Sequence, residues 1–114
     1  MNNLYLEMVQ YRENLKLFHF TSKRYSEHKV SDETLSEFDN KFDQFWEQYQ
    51  GQYGRLNIKS SSVKIGMCTH NELILYTNKL IKELETIKLS FDLSNIRDEI
   101  VGFLYKFIYL LSFL

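Results

Sequence analysis

Apolar residues return every three or four positions along most of the chain, with polar residues between them, which is the spacing of helices with one buried face. This pattern predicts helices over about residues 2–20, 31–50, 69–90 and 94–113. The first predicted helix carries one apolar stripe, made of Leu4, Met8, Tyr11, Leu15 and Phe18. Proline is absent and glycine occurs four times, so little interrupts the helical segments.

The other predicted helices carry stripes and start signals of the same kind. Ser31 is the predicted N-cap of the second helix, and Thr69 begins a capping box with Glu72 at the third. The second stripe consists of Leu35, Phe38, Phe42, Phe45 and Tyr49, and the third of Leu73, Leu80, Leu84, Ile87 and Phe91. The fourth consists of Ile96, Ile100, Phe103, Phe107, Leu110 and Leu114, beside a second apolar row of Val101, Leu104, Ile108 and Leu111. A face this wide indicates a central or oligomeric position for the fourth helix.

The helical pattern stops between residues 51 and 68, which form the only long connection in the chain. A bundle with one long connection is typical of ferritin-like proteins. We therefore predict an all-α, ferritin-like antiparallel four-helix bundle, a single domain over residues 1–114 with a long crossover between helices 2 and 3. Two alternatives for the crossover stay open, a disordered loop and a short hairpin within Leu56–Ile65.

The composition limits the kinds of partner and the cellular location that we expect for this protein. The 14 basic and 15 acidic side chains give a net charge of −1, which argues against nucleic acid as a partner. Cys68 is the only cysteine and no signal peptide is recognisable, so we expect a cytoplasmic protein. The apolar segment from Ile100 to Leu114 contains Lys106 and is shorter than the roughly 20 residues of a membrane span. The aromatic content of 16% predicts a homo-oligomer, because aromatic residues are enriched in interface cores.

The candidate chemistry lies in the first half of the chain. His19, His28, Asp32, Asp43 and Glu47 are five potential metal ligands within 29 residues, and two of the intervals are steps of four. Mixed imidazole and carboxylate ligands suit Fe(II), Zn(II) or Mn(II), and the spacing does not select among them. The alternative is structural, with the acids on the polar face of a helix and the histidines at helix ends.

The segments that contain these residues resemble the ferroxidase region of the Dps-like mini-ferritins, a branch of the ferritin-like superfamily. The resemblance rests on Leu17-Phe18-His19-Phe20, on His28 with Asp32 four positions later, and on Asp43 with Glu47 four positions later. It implies that His19, His28 and Asp32 bind metal in one subunit and that Asp43 and Glu47 belong to a site shared with a neighbour. The implied activity is oxidation of Fe(II) by oxygen or peroxide.

A second resemblance gives the alternative function. The pairs His19-Phe20 and Tyr25-x-x-His28, with the segment Gly51-Gln-Tyr-Gly-Arg55, are similar to short proteins of tailed phages and large DNA viruses. The alternative function is a non-catalytic helical structural or interaction protein that keeps the bundle without the chemistry. This resemblance adds that such a protein would be viral, located in host cytosol or virion. An intact ligand set in space favours metal binding, whereas histidine ring nitrogens bonded to the backbone favour the alternative.

Overall fold

The computed structural model describes residues 1–113, which fold into four α-helices. These are α1 (Asn2–Thr21), α2 (Tyr25–Tyr53), α3 (His70–Thr86) and α4 (Phe91–Leu111). No strand occurs within residues 1–113, which confirms the all-α prediction and leaves no hairpin in the crossover. Leu114, which was predicted to end the fourth apolar stripe, lies outside the described residues.

The order of the helices around the bundle is set by their contacts. α1 packs against α2 and α3, and α4 packs against the same two helices, so α1 and α4 occupy opposite corners. The crossover, residues 54–69, follows α1 from one end of the bundle to the other. Asn2 donates a hydrogen bond to the Asn57 carbonyl at 3.1 Å, and further along Gly66 N donates to Asn14 Oδ1 at 2.8 Å. Because of this crossover α2 and α3 start at the same end of the bundle, as in other bundles with one long connection.

The core consists mostly of the apolar faces that the sequence pattern predicts. The prediction was wrong at the end of the third stripe, since Ile87 follows α3 and Phe91 begins α4 with its side chain exposed. All five residues of the first stripe are buried, and the most completely buried aromatic side chains are Tyr11, Phe38, Phe45 and Phe107. Burying each such side chain contributes on the order of 1.5–3 kcal/mol to stability. The Tyr11 hydroxyl lies 2.8 Å from Thr77 Oγ1, and burial raises the pKa of the Tyr11 phenol although this hydrogen bond acts in the opposite direction.

Helix starts follow local sequence at α3 but not at α2. The predicted capping box is present, since Glu72 N donates to Thr69 Oγ1 at 3.1 Å and Thr69 N donates to Glu72 Oε1 at 3.0 Å. The prediction that α2 begins at Ser31 is wrong. α2 begins at Tyr25, and Ser31 is buried inside it, where its hydroxyl donates to the Glu27 carbonyl at 2.7 Å. The first turn of α2 has no apolar stripe, so periodicity could not detect it.

The fourth helix is also placed slightly differently from its prediction. α3 ends at Thr86 and α4 begins at Phe91, after Ser90 as the N-cap. The inner face of α4 is buried against α2 and α3, in agreement with the wide apolar face read from the sequence. Within residues 1–113, none of the helices combines the length and the apolar character needed to cross a membrane.

Candidate functional site

The two candidate histidines meet at the turn between α1 and α2. His19 lies in the last turn of α1 and His28 in the first turn of α2, and their rings stack with centroids 3.9 Å apart. His19 Nδ1 donates to the His28 carbonyl and His28 Nδ1 donates to the His19 carbonyl, each at 2.9 Å. A carbonyl oxygen only accepts, so both Nδ1 atoms carry the proton. We call this reciprocal pair the histidine staple, because it fastens the end of α1 to the start of α2.

The remaining ring nitrogen of His19 faces a third predicted ligand. His19 is buried, and its Nε2 lies 3.9 Å from Oδ1 of Asp32, whose side chain is largely exposed. The structure thus brings His19, His28 and Asp32 to one end of the bundle. However, nowhere in the part of the chain that the structure describes do three or more His, Cys, Asp or Glu side chains form a group able to hold a metal ion.

The other two predicted ligands lie elsewhere on α2. Asp43 and Glu47 are exposed, and Asp43 is eleven residues beyond Asp32, or roughly 16 Å along the helix axis. One chain therefore does not gather all five residues. That Asp43 and Glu47 serve a metal site shared with a neighbouring subunit stays a prediction.

Asp43 and Glu47 instead border a surface groove between α1, α2 and the crossover. The groove has a volume of about 690 Å³, within the range of known ligand sites. We call it the α2 groove. Its aromatic residues are Tyr5, Phe42 and Trp46, and its other lining residues include Leu6, Val9, Leu56, Ile58 and Val63.

The aromatic residues of the α2 groove form one packed cluster. Tyr5 stacks on Trp46 with ring centroids 5.5 Å apart, and it meets Phe42 edge-on at the same distance. Trp46 is only 5% exposed, and its buried Nε1–H has no acceptor among residues 1–113. An unsatisfied buried donor costs about 1–3 kcal/mol and is uncommon in folded proteins. Beneath the wall of the groove, Trp46 therefore holds a buried polar group that the described chain leaves without a partner.

Carboxylates at steps of four form an acidic row beside this cluster. Asp39 is neutralised by Arg12, whose Nε and Nη2 each donate to it at 3.1 Å, and these hydrogen bonds raise the pKa of Arg12. Asp43 and Glu47 have neither a hydrogen-bond partner nor an ion-pair partner within residues 1–113. Two smaller depressions, of about 460 and 370 Å³, share Asp43 with the α2 groove. The concave surface is consequently elongated along α2.

A second polar cluster connects the α1–α2 turn to the start of α3. His70 Nδ1 donates to Glu27 Oε2 at 2.8 Å, and Ser22 donates to Glu27 Oε1 at 3.0 Å. Cys68 lies beside His70 on the wall of a separate depression. Burial and then the charge of Glu72 raise the pKa of the Cys68 thiol, which disfavours the nucleophilic thiolate. This cluster is therefore built to hold three chain segments together.

Sequence reasoning identified the histidine staple residues but missed the aromatic part of the α2 groove. Tyr5 is 41 positions from Trp46 in sequence, and only the fold brings them together. One signal was available, since the single tryptophan stands between Asp43 and Glu47 on the same helix. Large aromatic residues are enriched in the cores of recognition surfaces.

The fold defines the chain as a small four-helix bundle with a groove on its surface. Within this class, residues 19–111 match the model of a family of unknown function, DUF5856, and the chain belongs to that family. The matched region begins at His19 and ends at the last residue of α4. It includes the histidine staple, the α2 wall of the groove and the crossover. No match was found among curated proteins or among solved structures.

Proposed function

We propose that the chain is a non-catalytic helical interaction protein that binds a segment of a partner protein in the α2 groove. The observation that carries this proposal is the position of Asp43 and Glu47, two carboxylates without partners in the described chain, beside an aromatic cluster. Exposed charges next to apolar surface are complementary to a partner that combines cationic and apolar groups.

The shape of the site supports an extended, basic and apolar peptide as the occupant. The linked depressions along α2 suit an elongated chain better than a compact small molecule. An apolar side chain would lie on Tyr5 and Phe42, and a lysine or arginine beside it would pair with Asp43 and Glu47. The Trp46 indole stacks on Tyr5 in the wall of the groove, so an occupant would change the surroundings of this ring.

The state of the candidate catalytic groups supports a binding role over catalysis. His19 and His28 each donate a ring hydrogen to the backbone, and His70 donates to Glu27. These bonds hold helix ends in place. A bond from Nδ1 to a carbonyl still leaves Nε2 able to bind metal. The observation that favours the interaction protein over the ferroxidase is that no three potential ligands are assembled within residues 1–113.

A peptide titration tests the groove directly. The probe is a capped, fluorescently labelled peptide of alternating leucine and lysine, with a matched leucine–glutamate peptide as the negative probe. Asp43→Asn combined with Glu47→Gln is expected to weaken binding by about tenfold or more and to reduce its salt dependence. Glu33→Gln combined with Glu85→Gln removes two exposed acids elsewhere and is expected to leave binding unchanged. Equal weakening by both double variants would show non-specific charge attraction and overturn the proposal.

Metal binding is a second candidate, and one observation favours it. Because both Nδ1 atoms of the histidine staple donate to carbonyls, both Nε2 atoms keep their lone pairs, as in histidines that bind metal. His19, His28 and Asp32 would then hold Fe(II), Zn(II) or Mn(II), with further ligands from another chain. In the ferroxidase form of this proposal, Fe(II) is the substrate.

An anaerobic Fe(II) titration by calorimetry, with the native mass measured alongside, tests this second candidate. Saturable binding that His28→Ala abolishes would support the staple as a metal site, and loss in Asp43→Ala as well would support the shared site. Glu85→Ala is the matched control and is expected to bind as the wild type does. Absence of binding by an intact oligomer would overturn the metal proposal.

We also propose that copies of the chain associate. Several large apolar side chains of α4 and its C-terminal turn are exposed, among them Phe91, Tyr105, Tyr109 and Phe113. Isolated exposed apolar residues are ordinary, but several along one helix are typical of an interface. A homo-oligomer would cover them.

A further inference from the structure

The outward face of α4 has a symmetric arrangement about Gly102. At 100° per residue, the positions four, seven and eleven residues away on either side lie within about 40° of the direction of Gly102. These positions are Phe91, Asn95 and Asp98 on one side and Lys106, Tyr109 and Phe113 on the other. All of them are exposed, and Phe113 follows the C-cap Ser112, whose backbone is still helical.

Gly102 is not explained by packing within the chain. A Cβ atom added there would meet no atom within 4 Å, and the residue lies in the interior of a 21-residue helix. Glycine in such a position is less favourable than alanine, because it loses more conformational freedom on folding. A close approach by something outside the chain would account for the missing side chain.

The chemistry on the two sides of Gly102 is complementary. Asp98 on one side corresponds to Lys106 on the other, and Phe91 corresponds to Phe113. Asp98 accepts from Arg97 and Lys106 lies 3.9 Å from Glu37, yet the side chains of Asp98 and Lys106 remain 68% and 61% exposed. Both charges therefore stay available to a further partner.

We infer that the partner is a second copy of this chain, packed with its α4 antiparallel to the first across a two-fold axis at Gly102. This inference rests on the proposed self-association and names its surface. In this arrangement Gly102 faces Gly102 of the partner copy, which allows the helices to approach closely at the centre. Lys106 of each copy faces Asp98 of the other, and Phe113 of each copy covers Phe91 of the other.

The self-complementarity favours a second copy over an unrelated protein. A two-fold interface requires that each residue and its counterpart be compatible in both directions. The outward face of α4 meets this requirement. Asp98 pairs with Lys106, Phe91 pairs with Phe113, and Gly102 on the axis pairs with itself. The opposite charges also fix the helices antiparallel, since a parallel pair would place Asp98 against Asp98.

A charge exchange measured by sedimentation equilibrium tests the inference. Lys106→Glu and Asp98→Lys, made separately, each place like charges across the interface, and each is expected to raise the dimer dissociation constant about tenfold or more. The two substitutions together restore opposite charges and are expected to restore dimerisation. Lys82→Glu changes an exposed lysine of α3 and is expected to have no effect. Circular dichroism of every variant reports whether the bundle is folded.

Gly102→Ala gives an independent test, because it is expected to stabilise the monomer and to weaken the dimer. The substitution is expected to raise the urea midpoint of the monomer, because alanine favours the helix, and to weaken the dimer, because the added methyl groups collide at the axis. A dimer that none of these substitutions weakens would overturn the α4 interface while leaving self-association intact. A wild-type chain that stays monomeric at high concentration would overturn both.

Discussion

The histidine staple and the α2 groove are connected by α2, and they differ in whether their polar groups have hydrogen-bond or ion-pair partners. At the staple, His19 and His28 each bond to the other's backbone, and nearby Glu27 accepts from Ser22 and His70. At the groove, Asp43 and Glu47 have no partner within residues 1–113, and Trp46 Nε1–H has no acceptor there.

This difference separates side chains that hold the fold from side chains that are free to bind. Buried polar groups that are paired contribute to the stability of the protein, and removing one partner lowers that stability. Exposed charges without partners contribute little to the fold, whereas the buried Trp46 Nε1–H without an acceptor lowers its stability. A ligand that pairs with the exposed charges gains their interaction energy. The comparison therefore predicts large stability effects at the staple and small ones at the groove.

The largest expected effect comes from truncating the buried member of the staple. His19→Ala removes a buried ring and its hydrogen bond to the His28 carbonyl, and we expect it to lower the free energy of unfolding by about 3 kcal/mol. His28→Ala removes an exposed ring and one hydrogen bond to the His19 carbonyl, with an expected loss of about 1 kcal/mol. Urea unfolding measures both. Equal losses of unfolding free energy in the two variants would contradict the larger stabilising role given to His19.

An intermediate effect is expected at the pair that connects α2 to α3. Glu27→Ala, His70→Ala and the double variant form a cycle whose coupling energy should be about 1 kcal/mol, because the pair is only partly exposed. Urea unfolding of the four proteins gives the value. A coupling energy near zero would mean that the 2.8 Å contact does not contribute to holding the start of α3.

The smallest expected effect is at the groove. Asp43→Asn and Glu47→Gln keep the side-chain shapes and remove charges that have no partner in the described chain. Each is expected to change the free energy of unfolding by no more than about 0.5 kcal/mol in thermal or urea unfolding. If either substitution lowered the free energy of unfolding by more than about 1 kcal/mol, the carboxylate would stabilise the fold. The proposed difference between the α2 groove and the histidine staple would then be wrong.

The fold could be predicted from the sequence because apolar periodicity is local information. Most residues of the four stripes, and the capping box of Thr69 and Glu72, are read from neighbouring residues, and the structure confirms them. Ile87 and Phe91 are exceptions, because α3 ends at Thr86 and Phe91 is exposed at the start of α4. The start of α2 could not be predicted, because the turn before Val30 has no apolar face and Ser31 resembles an N-cap. Its hydroxyl bonds backward inside the helix instead.

The candidate site was predictable only where its residues are close in sequence. His19 and His28 are nine positions apart, so their meeting at a helical turn could be anticipated, but their reciprocal backbone bonds could not. Glu27 and His70 are separated by 43 positions, and only the crossover brings them into contact. The α2 groove depends in the same way on Tyr5 reaching Trp46, which is 41 positions away.

The most direct test of the central claim uses the only tryptophan of the chain as the probe. The indole Nε1–H of Trp46 gives a single resonance in a proton–nitrogen correlation spectrum of nitrogen-labelled protein. Adding the leucine–lysine peptide is expected to move this resonance in a saturable way, together with the amide resonances of Asp43 and Glu47, while the leucine–glutamate peptide leaves them in place. If the lysine peptide shifts resonances elsewhere and leaves Trp46 unchanged, the α2 groove is not the binding site.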